Sequence, residues 1–107
     1  MTLTITEANH APGVLAVSGA LTIYDAVPAK ALLLEALGKS GELEIDLSGV
    51  DEMDSAGVQL LILVKREAVR AGKHVRLSQH SAASLEALDR YNLASYFGDP
   101  VVLSPHA

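Results

Sequence analysis

Apolar residues in this chain fall in short blocks, and their spacing changes from block to block. Leu3 and Ile5 alternate with Thr4, Thr6 and Glu7, which predicts a short strand. Asn9-His10-Ala11-Pro12-Gly13 is a turn-forming cluster. Val14-Leu15-Ala16-Val17 predicts a second strand, punctuated by Gly13 and Gly19, and so short a connection pairs the two antiparallel. Leu21-Thr22-Ile23 extends that strand or forms a short one of its own. From Pro28 to Leu37 the pattern turns helical: Asp25 stands at the N-cap, Leu32, Leu33, Ala36 and Leu37 form a stripe, and Gly38 is placed to stop it. Leu43, Ile45 and Leu47 then alternate with Glu44, Asp46 and Ser48, as in a strand buried on one face.

A polar loop is expected from Ser48 to Asp54, then a helix from Ser55 to Ala71 closed by Gly72. His74-Val75-Arg76-Leu77 predicts another strand. Ser81 opens a helix from Ala82 to about Tyr91, with Leu85 and Leu88 inward. Leu93 to Phe97 adds a brief helical turn and Val101-Val102-Leu103 a last strand. The order β-β-α-β-α-β-α-β, alternating after an opening hairpin, implies right-handed crossovers and a mixed, mostly parallel α/β sheet of four to five strands. Three short helices cover mainly one of its faces. No repeat or linker interrupts the 107 residues, which fit one domain spanning 1–107.

Composition narrows the classes. Half the residues are hydrophobic, but only three Tyr and one Phe are aromatic and Trp is absent, so the core is aliphatic. The absence of Cys removes disulfides, thiolate zinc sites and a thiol nucleophile. A formal net charge of −5 argues against nucleic acid. No basic n-region and long apolar run opens the chain, and the longest uncharged apolar run, Val58 to Val64, falls far short of the ~20 residues of a membrane span. A cytoplasmic protein with no membrane insertion is expected.

Placing the charges changes the picture more than counting them. Six of the thirteen acids lie between Glu42 and Asp54, and no Lys or Arg occurs from Ser40 to Val64. Five of the eight basic residues follow at once: Lys65, Arg66, Arg70, Lys73 and Arg76. Acids at the start of a helix and bases at its end suit the helix dipole at ~0.3–1 kcal/mol each. Ser55 falls at or beside the N-cap, with Asp54 competing for that role. Free N–H groups at such an end suit a phosphate. A phosphate on Ser55 would meet Asp51, Glu52 and Asp54 and change how this end meets a partner. Gly57 weakens the first turn by ~1 kcal/mol relative to Ala and leaves room for another surface to approach Ser55. Leu60, Leu63 and Val64 widen the stripe of Val58, Leu61, Ile62, Ala68 and Val69, so the helix is apolar nearly all round; it is either sandwiched in the fold or given to an interface.

The stretch Glu44-Ile45-Asp46-Leu47-Ser48-Gly49-Val50-Asp51-Glu52-Met53-Asp54-Ser55-Ala56-Gly57-Val58 resembles the strand, loop and helix start of the STAS family, which includes bacterial anti-sigma-factor antagonists and sulfate-transporter tails. Gly19-Ala20-Leu21, the strand at Gly72 to Leu77 and the helix from Ser81 to Leu93 fit the same pattern, so the likeness spans nearly the whole chain. The resemblance implies the STAS fold and a non-enzymatic, phosphorylation-controlled partner switch. An antagonist of this kind binds an anti-sigma factor that is also a serine kinase; phosphorylation in the loop ends binding and a phosphatase restores it. It implies Ser55 as phosphoacceptor, Asp54, Ala56, Gly57, Leu60, Leu63 and Val64 as partner-binding residues, and Asp46, Ser48, Asp51 and Glu52 as loop support.

Two departures bear on this. Many antagonists carry two adjacent hydroxyl residues where this chain has Ser55-Ala56, so an acceptor belonging at the second position is missing. The acid that often follows the early Gly-x-Leu is replaced by Thr22, so no nucleotide contact carries over. The Asp-Ser-Ala-Gly form also resembles the small STAS subunit that docks on the ATPase of bacterial lipid-transport ABC complexes, an alternative in which Ser55 is not modified.

Enzyme motifs are missing: no Walker A pattern, nucleophile elbow, HExxH or dinucleotide fingerprint occurs. His10, His74, His80 and His106 are scattered, no metal or cofactor is expected, and Asp46 and Asp54 read as capping and loop residues. Tyr24, Tyr91, Tyr96 and Phe97 read as packing residues.

Overall fold

The structure, a computed structural model, describes residues 3–7 and 13–91. The expected helical turn at 93–97 and strand at 101–103 lie outside them. In chain order the elements are β1 (Thr4–Glu7), β2 (Val14–Leu21), α1 (Ala26–Gly38), β3 (Glu42–Met53), α2 (Ser55–Arg70), β4 (His74–Ser78) and α3 (Ala82–Arg90). The strands form one sheet in the order β1-β2-β3-β4. β1 runs antiparallel to β2, with Thr4 opposite Ser18 and Glu7 opposite Leu15. β2 with β3 and β3 with β4 are parallel, as the crossovers through α1 and α2 require.

Period-two alternation puts Leu15 and Val17 of β2, Leu43, Ile45 and Leu47 of β3 and Val75 and Leu77 of β4 in one buried cluster with Leu33 and Leu37 of α1, Val58, Leu61 and Val64 of α2 and Leu88 of α3. The opposite face is polar. There Glu44 accepts hydrogen bonds from the Arg76 guanidinium and from the Ser78 hydroxyl at 2.8 Å, tying β3 to β4. The Arg76 bond first, then the Ser78 bond, holds the Glu44 carboxyl below its ordinary value of 4.5, against the smaller opposing effect of partial burial.

β3 is longer than the alternation predicts. The segment expected as a polar loop, Ser48 to Met53, continues the strand and pairs with β2. The register explains why the pattern concealed it. Ala16 faces Asp46 but Ser18 faces Gly49, and Gly19 faces Val50 but Ala20 faces Glu52, so β3 carries an extra residue at two places. Each bulge resets the side-chain phase. Buried positions therefore run Leu43, Ile45, Leu47, then Val50 and Met53, two apart and then three apart.

α1 begins at the expected cap position, but the Asp25 side chain makes no capping hydrogen bond. Gly38 does not stop the helix as expected; it is the last helical residue, and Lys39 follows as the cap. The Lys73 ammonium donates to the Leu37 carbonyl at 2.7 Å and satisfies one of the open carbonyls at that end. α2 ends as predicted: Ala71 caps it, and Gly72, at φ +71°, turns the chain into β4. α3 opens on a reciprocal pair, with the Ser84 amide donating to the Ser81 hydroxyl and the Ser81 amide to the Ser84 hydroxyl. Its inward residues are Ser84, Ala87 and Leu88, with Leu85 half-buried.

Candidate functional site

β3 delivers the chain to α2 through one residue, Asp54. Its backbone is extended, at φ −109° and ψ −173°, so it is the N-cap, and Ser55 is the first helical residue. One carboxylate oxygen of Asp54 accepts from the Gly57 amide at 3.1 Å. The other accepts from the Ile23 amide at 3.0 Å, thirty-one residues away in the β2–α1 connection. A single side chain thus caps α2 and fastens the neighbouring loop to it. Its carboxylate already sits where a bound anion would lie, so this helix end is not the open phosphate seat that its free amides suggested.

Ser55 is exposed beside that clamp, in the first turn of α2. Asp51 and Glu52, both exposed, precede it at the end of β3. Asp46 and Ser48, expected as support for the same loop, lie elsewhere: the Asp46 carboxylate accepts from the Ser48 amide at 2.9 Å within β3, level with Ala16 of β2 and Ser78 of β4. Asp46 and Met53 stand seven positions apart on the extended chain of β3, roughly 20 Å.

The expected partner-binding residues divide sharply. Gly57 is buried, and what approaches it is the chain's own β2. A Cβ placed there would lie 2.3 Å from the Leu21 carbonyl oxygen and 3.0 Å from the Met53 side chain. Leu60 and Val64 are 5% and 0% exposed, and both belong to the core. As placed here, they offer a partner almost no side-chain surface. α2 is apolar nearly all round because it lies between α1 and α3 over the sheet, so several of its faces meet protein. Leu63 is half-buried against the core and Ala56 half-buried. Val69, expected in the buried stripe, is 66% exposed.

Other exposed apolar side chains lie on the loop that Asp54 holds and at the start of α1. Ile23, Tyr24 and Val27 are 67%, 90% and 80% exposed. The reading of Tyr24 as a packing residue is corrected by that exposure, and Tyr91 too is exposed. The signal for this surface was present in α1, where Val27, Pro28, Ala31 and Leu32 leave the outward side almost without charge. Among the described residues no three His, Asp or Glu side chains gather as a metal site, and no helix is long and apolar enough to cross a membrane.

A four-stranded α/β sheet whose third strand runs through an Asp-Ser-Ala-Gly helix start defines a STAS domain. The family profile described as "Mlab, STAS domain" matches residues 5–103, and the chain belongs to that family. Among solved structures it is similar to the anti-sigma factor antagonist SpoIIAA in its unphosphorylated form, with 15% identity, a TM-score of 0.70, and 87% of this chain and 84% of that one covered. It is similar to an anti-sigma factor antagonist from Mycobacterium paratuberculosis at 21% identity and a TM-score of 0.69, covering 90% and 81%. A putative antagonist from Thermotoga maritima shares 18% identity at a TM-score of 0.67, covering 85% and 79%. These likenesses establish the fold. No curated protein sequence matches the chain significantly.

Proposed function

We propose that this STAS domain is a non-enzymatic cytoplasmic partner switch of the anti-sigma-factor-antagonist kind, docking a serine-kinase anti-sigma partner through the Ser55 end of α2. The observation that carries the reading is the Asp54 clamp, which presents an exposed serine beside an exposed loop on a rigid helix start. A phosphate on Ser55 brings about −1.5 to −2 charges beside Asp54, Asp51 and Glu52. Repulsion there works against the carboxylate that holds the Ile23 loop, so the modification alters the docking surface as well as adding charge to it. Removal by a phosphatase restores the surface. No metal, cofactor or nucleic acid takes part.

A second reading, a STAS subunit docked permanently on the ATPase of a lipid-transport ABC complex, is favoured by Ala56, which leaves Ser55 as the motif's one hydroxyl. The two separate on the same variants. For a switch, Ser55→Ala binds the partner as wild type, Ser55→Asp weakens binding at least about tenfold, and intact-mass spectrometry of the native protein shows a phospho-form. Equal binding by wild type and both variants, with no phospho-form and stable co-purification of an ATPase, establishes the docked subunit instead.

A further inference from the structure

Among the described residues three polar side chains are buried: Thr22, Asp25 and Ser84, at 5%, 8% and 0% exposure. Ser84 is fully occupied by the start of α3. The other two stand at the feet of one turn, Thr22-Ile23-Tyr24-Asp25, closed by the Asp25 amide donating to the Thr22 carbonyl at 3.1 Å. Neither the Thr22 hydroxyl nor the Asp25 carboxylate is bonded within the described residues. The nearest cation in sequence, Lys30 on α1, is exposed and forms no ion pair with Asp25. No fully enclosed side-chain oxygen in the described residues lacks a partner, so both groups open onto the surface. A nearly buried acceptor without a donor is costly, and the dipole of α1, at whose N-cap Asp25 stands, offsets only part of that. The turn itself is fixed, because Asp54 holds the Ile23 amide at 3.0 Å. Its tip, Ile23 and Tyr24, and Val27 just beyond it are largely exposed.

We propose that this turn is a receptor for one arginine side chain of the serine-kinase anti-sigma partner, with its guanidinium on the Asp25 carboxylate and the Thr22 hydroxyl and its face against Tyr24. This rests on the Ser55 docking reading and names what the partner brings to it. Placement follows from Asp54, which precedes Ser55 in the chain and is bonded to the Ile23 amide, so a kinase that receives Ser55 also meets the turn. Chemistry selects the side chain. An unpaired carboxylate attracts a cation, and a guanidinium has donors to spare for the neighbouring hydroxyl and a planar face that stacks on an aromatic ring. A metal ion is poorly served, since no three His, Asp or Glu side chains gather among the described residues. A free small cation leaves Ile23, Tyr24 and Val27 uncovered, whereas a protein surface covers them around the buried charge pair, as in an interface hot spot. The turn is held in shape beforehand, so binding orders little.

Two measurements on the full chain test this. In amide NMR of the protein alone, N-acetyl-arginine amide is expected to shift the Thr22 to Ala26 amides saturably in the low millimolar range. The uncharged N-acetyl-citrulline amide leaves them in place, and Asp25→Asn, whose dispersed spectrum checks that it is folded, abolishes the response. No saturable shift with the arginine probe, or an equal shift in Asp25→Asn, overturns the receptor. With the purified kinase partner, Asp25→Asn and Tyr24→Ala are each expected to weaken binding at least about tenfold. Asp25→Arg abolishes it, and changing one partner arginine to aspartate restores it. Full binding by Asp25→Asn and Tyr24→Ala beside loss in Ser55→Asp overturns the receptor and leaves the docking reading standing. Loss in those two variants beside full binding in Ser55→Asp keeps the receptor and removes the switch. Retention of an ABC ATPase in place of a kinase, or a dimer that Tyr24→Ala dissolves, assigns the turn to a different occupant and overturns the proposal as well.

Discussion

Asp54 performs two tasks that are usually divided between residues. As an N-cap it satisfies the Gly57 amide, and through its second oxygen it holds the Ile23 amide, so both lone-pair faces of the carboxylate serve backbone donors. Asp54→Ala removes both bonds and is expected to destabilise the protein by about 2 kcal/mol, the sum of a lost cap and a lost charge-assisted bond. Urea denaturation measures it, and Asp54→Asn, which keeps the capping oxygen, recovers about half. Gly57→Ala runs against helix propensity. The alanine gains ~1 kcal/mol in an isolated helix, yet here its Cβ meets the Leu21 carbonyl at 2.3 Å. The expected net effect is a loss of about 1–3 kcal/mol by overpacking, visible in the same titration. The sequence shows Asp54 and Ser55 as rival caps and Gly57 as a gap, but the decision between caps depends on backbone angles, and the occupant of the gap comes from β2, thirty-six positions upstream. Neither lies within the reach of a local pattern.

At the scale of elements, legibility followed periodicity. The hairpin, the parallel crossovers and the spans of α2 and α3 were readable because each keeps one period along its length. β3 was cut short at Leu47 because its two bulges change the period from two to three, and a strand template ends where the phase slips. α1 and α2 are both apolar on several sides, and composition alone does not say which of them the rest of the fold covers. The distinction comes from neighbours: α2 has helices on both flanks, whereas the outward side of α1 has none among the described residues. One element-level contact carries a pH signature. The Arg76 and Ser78 bonds hold Glu44 below its ordinary carboxylate value and join β3 to β4. A carboxyl depressed in the folded state contributes stability above the unfolded value of 4.5 and loses it as pH falls through the lower folded value. Glu44→Gln is therefore expected to be less stable than wild type at neutral pH, with the gap closing as pH falls from 4.5 through the lower folded value. The partner guanidinium is largely exposed, so solvent screening keeps the gap under about 1 kcal/mol. Thermal melts of both proteins from pH 7 downward measure it.

Across the molecule, the buried residues of all three helices and of the sheet join in a single cluster, and the pairing that anchors it is non-local: Val14 of β2 lies beside Glu44 of β3, with the whole of α1 between them in sequence. Parallel pairing of this kind has no stability until its crossover helix is packed, and α1 in turn packs against α2. The described elements are therefore expected to lose structure together. Leu60, 5% exposed within that cluster, is the sharpest probe, because a docking residue and a core residue predict opposite outcomes on truncation. Leu60→Ala is expected to remove about 2–5 kcal/mol through lost burial and the cavity it leaves. For a domain of this size each kcal/mol corresponds to a fall in Tm of about 4–8 °C. Native-state hydrogen exchange gives the stricter readout: the slowest amides of β2, β3 and α2 should all lose protection by the same free energy in Leu60→Ala. A loss confined to α2, with β2 and β3 unchanged, would show that helix to be a separately melting layer, and a Tm equal to wild type would return Leu60 to the surface from which its burial removes it.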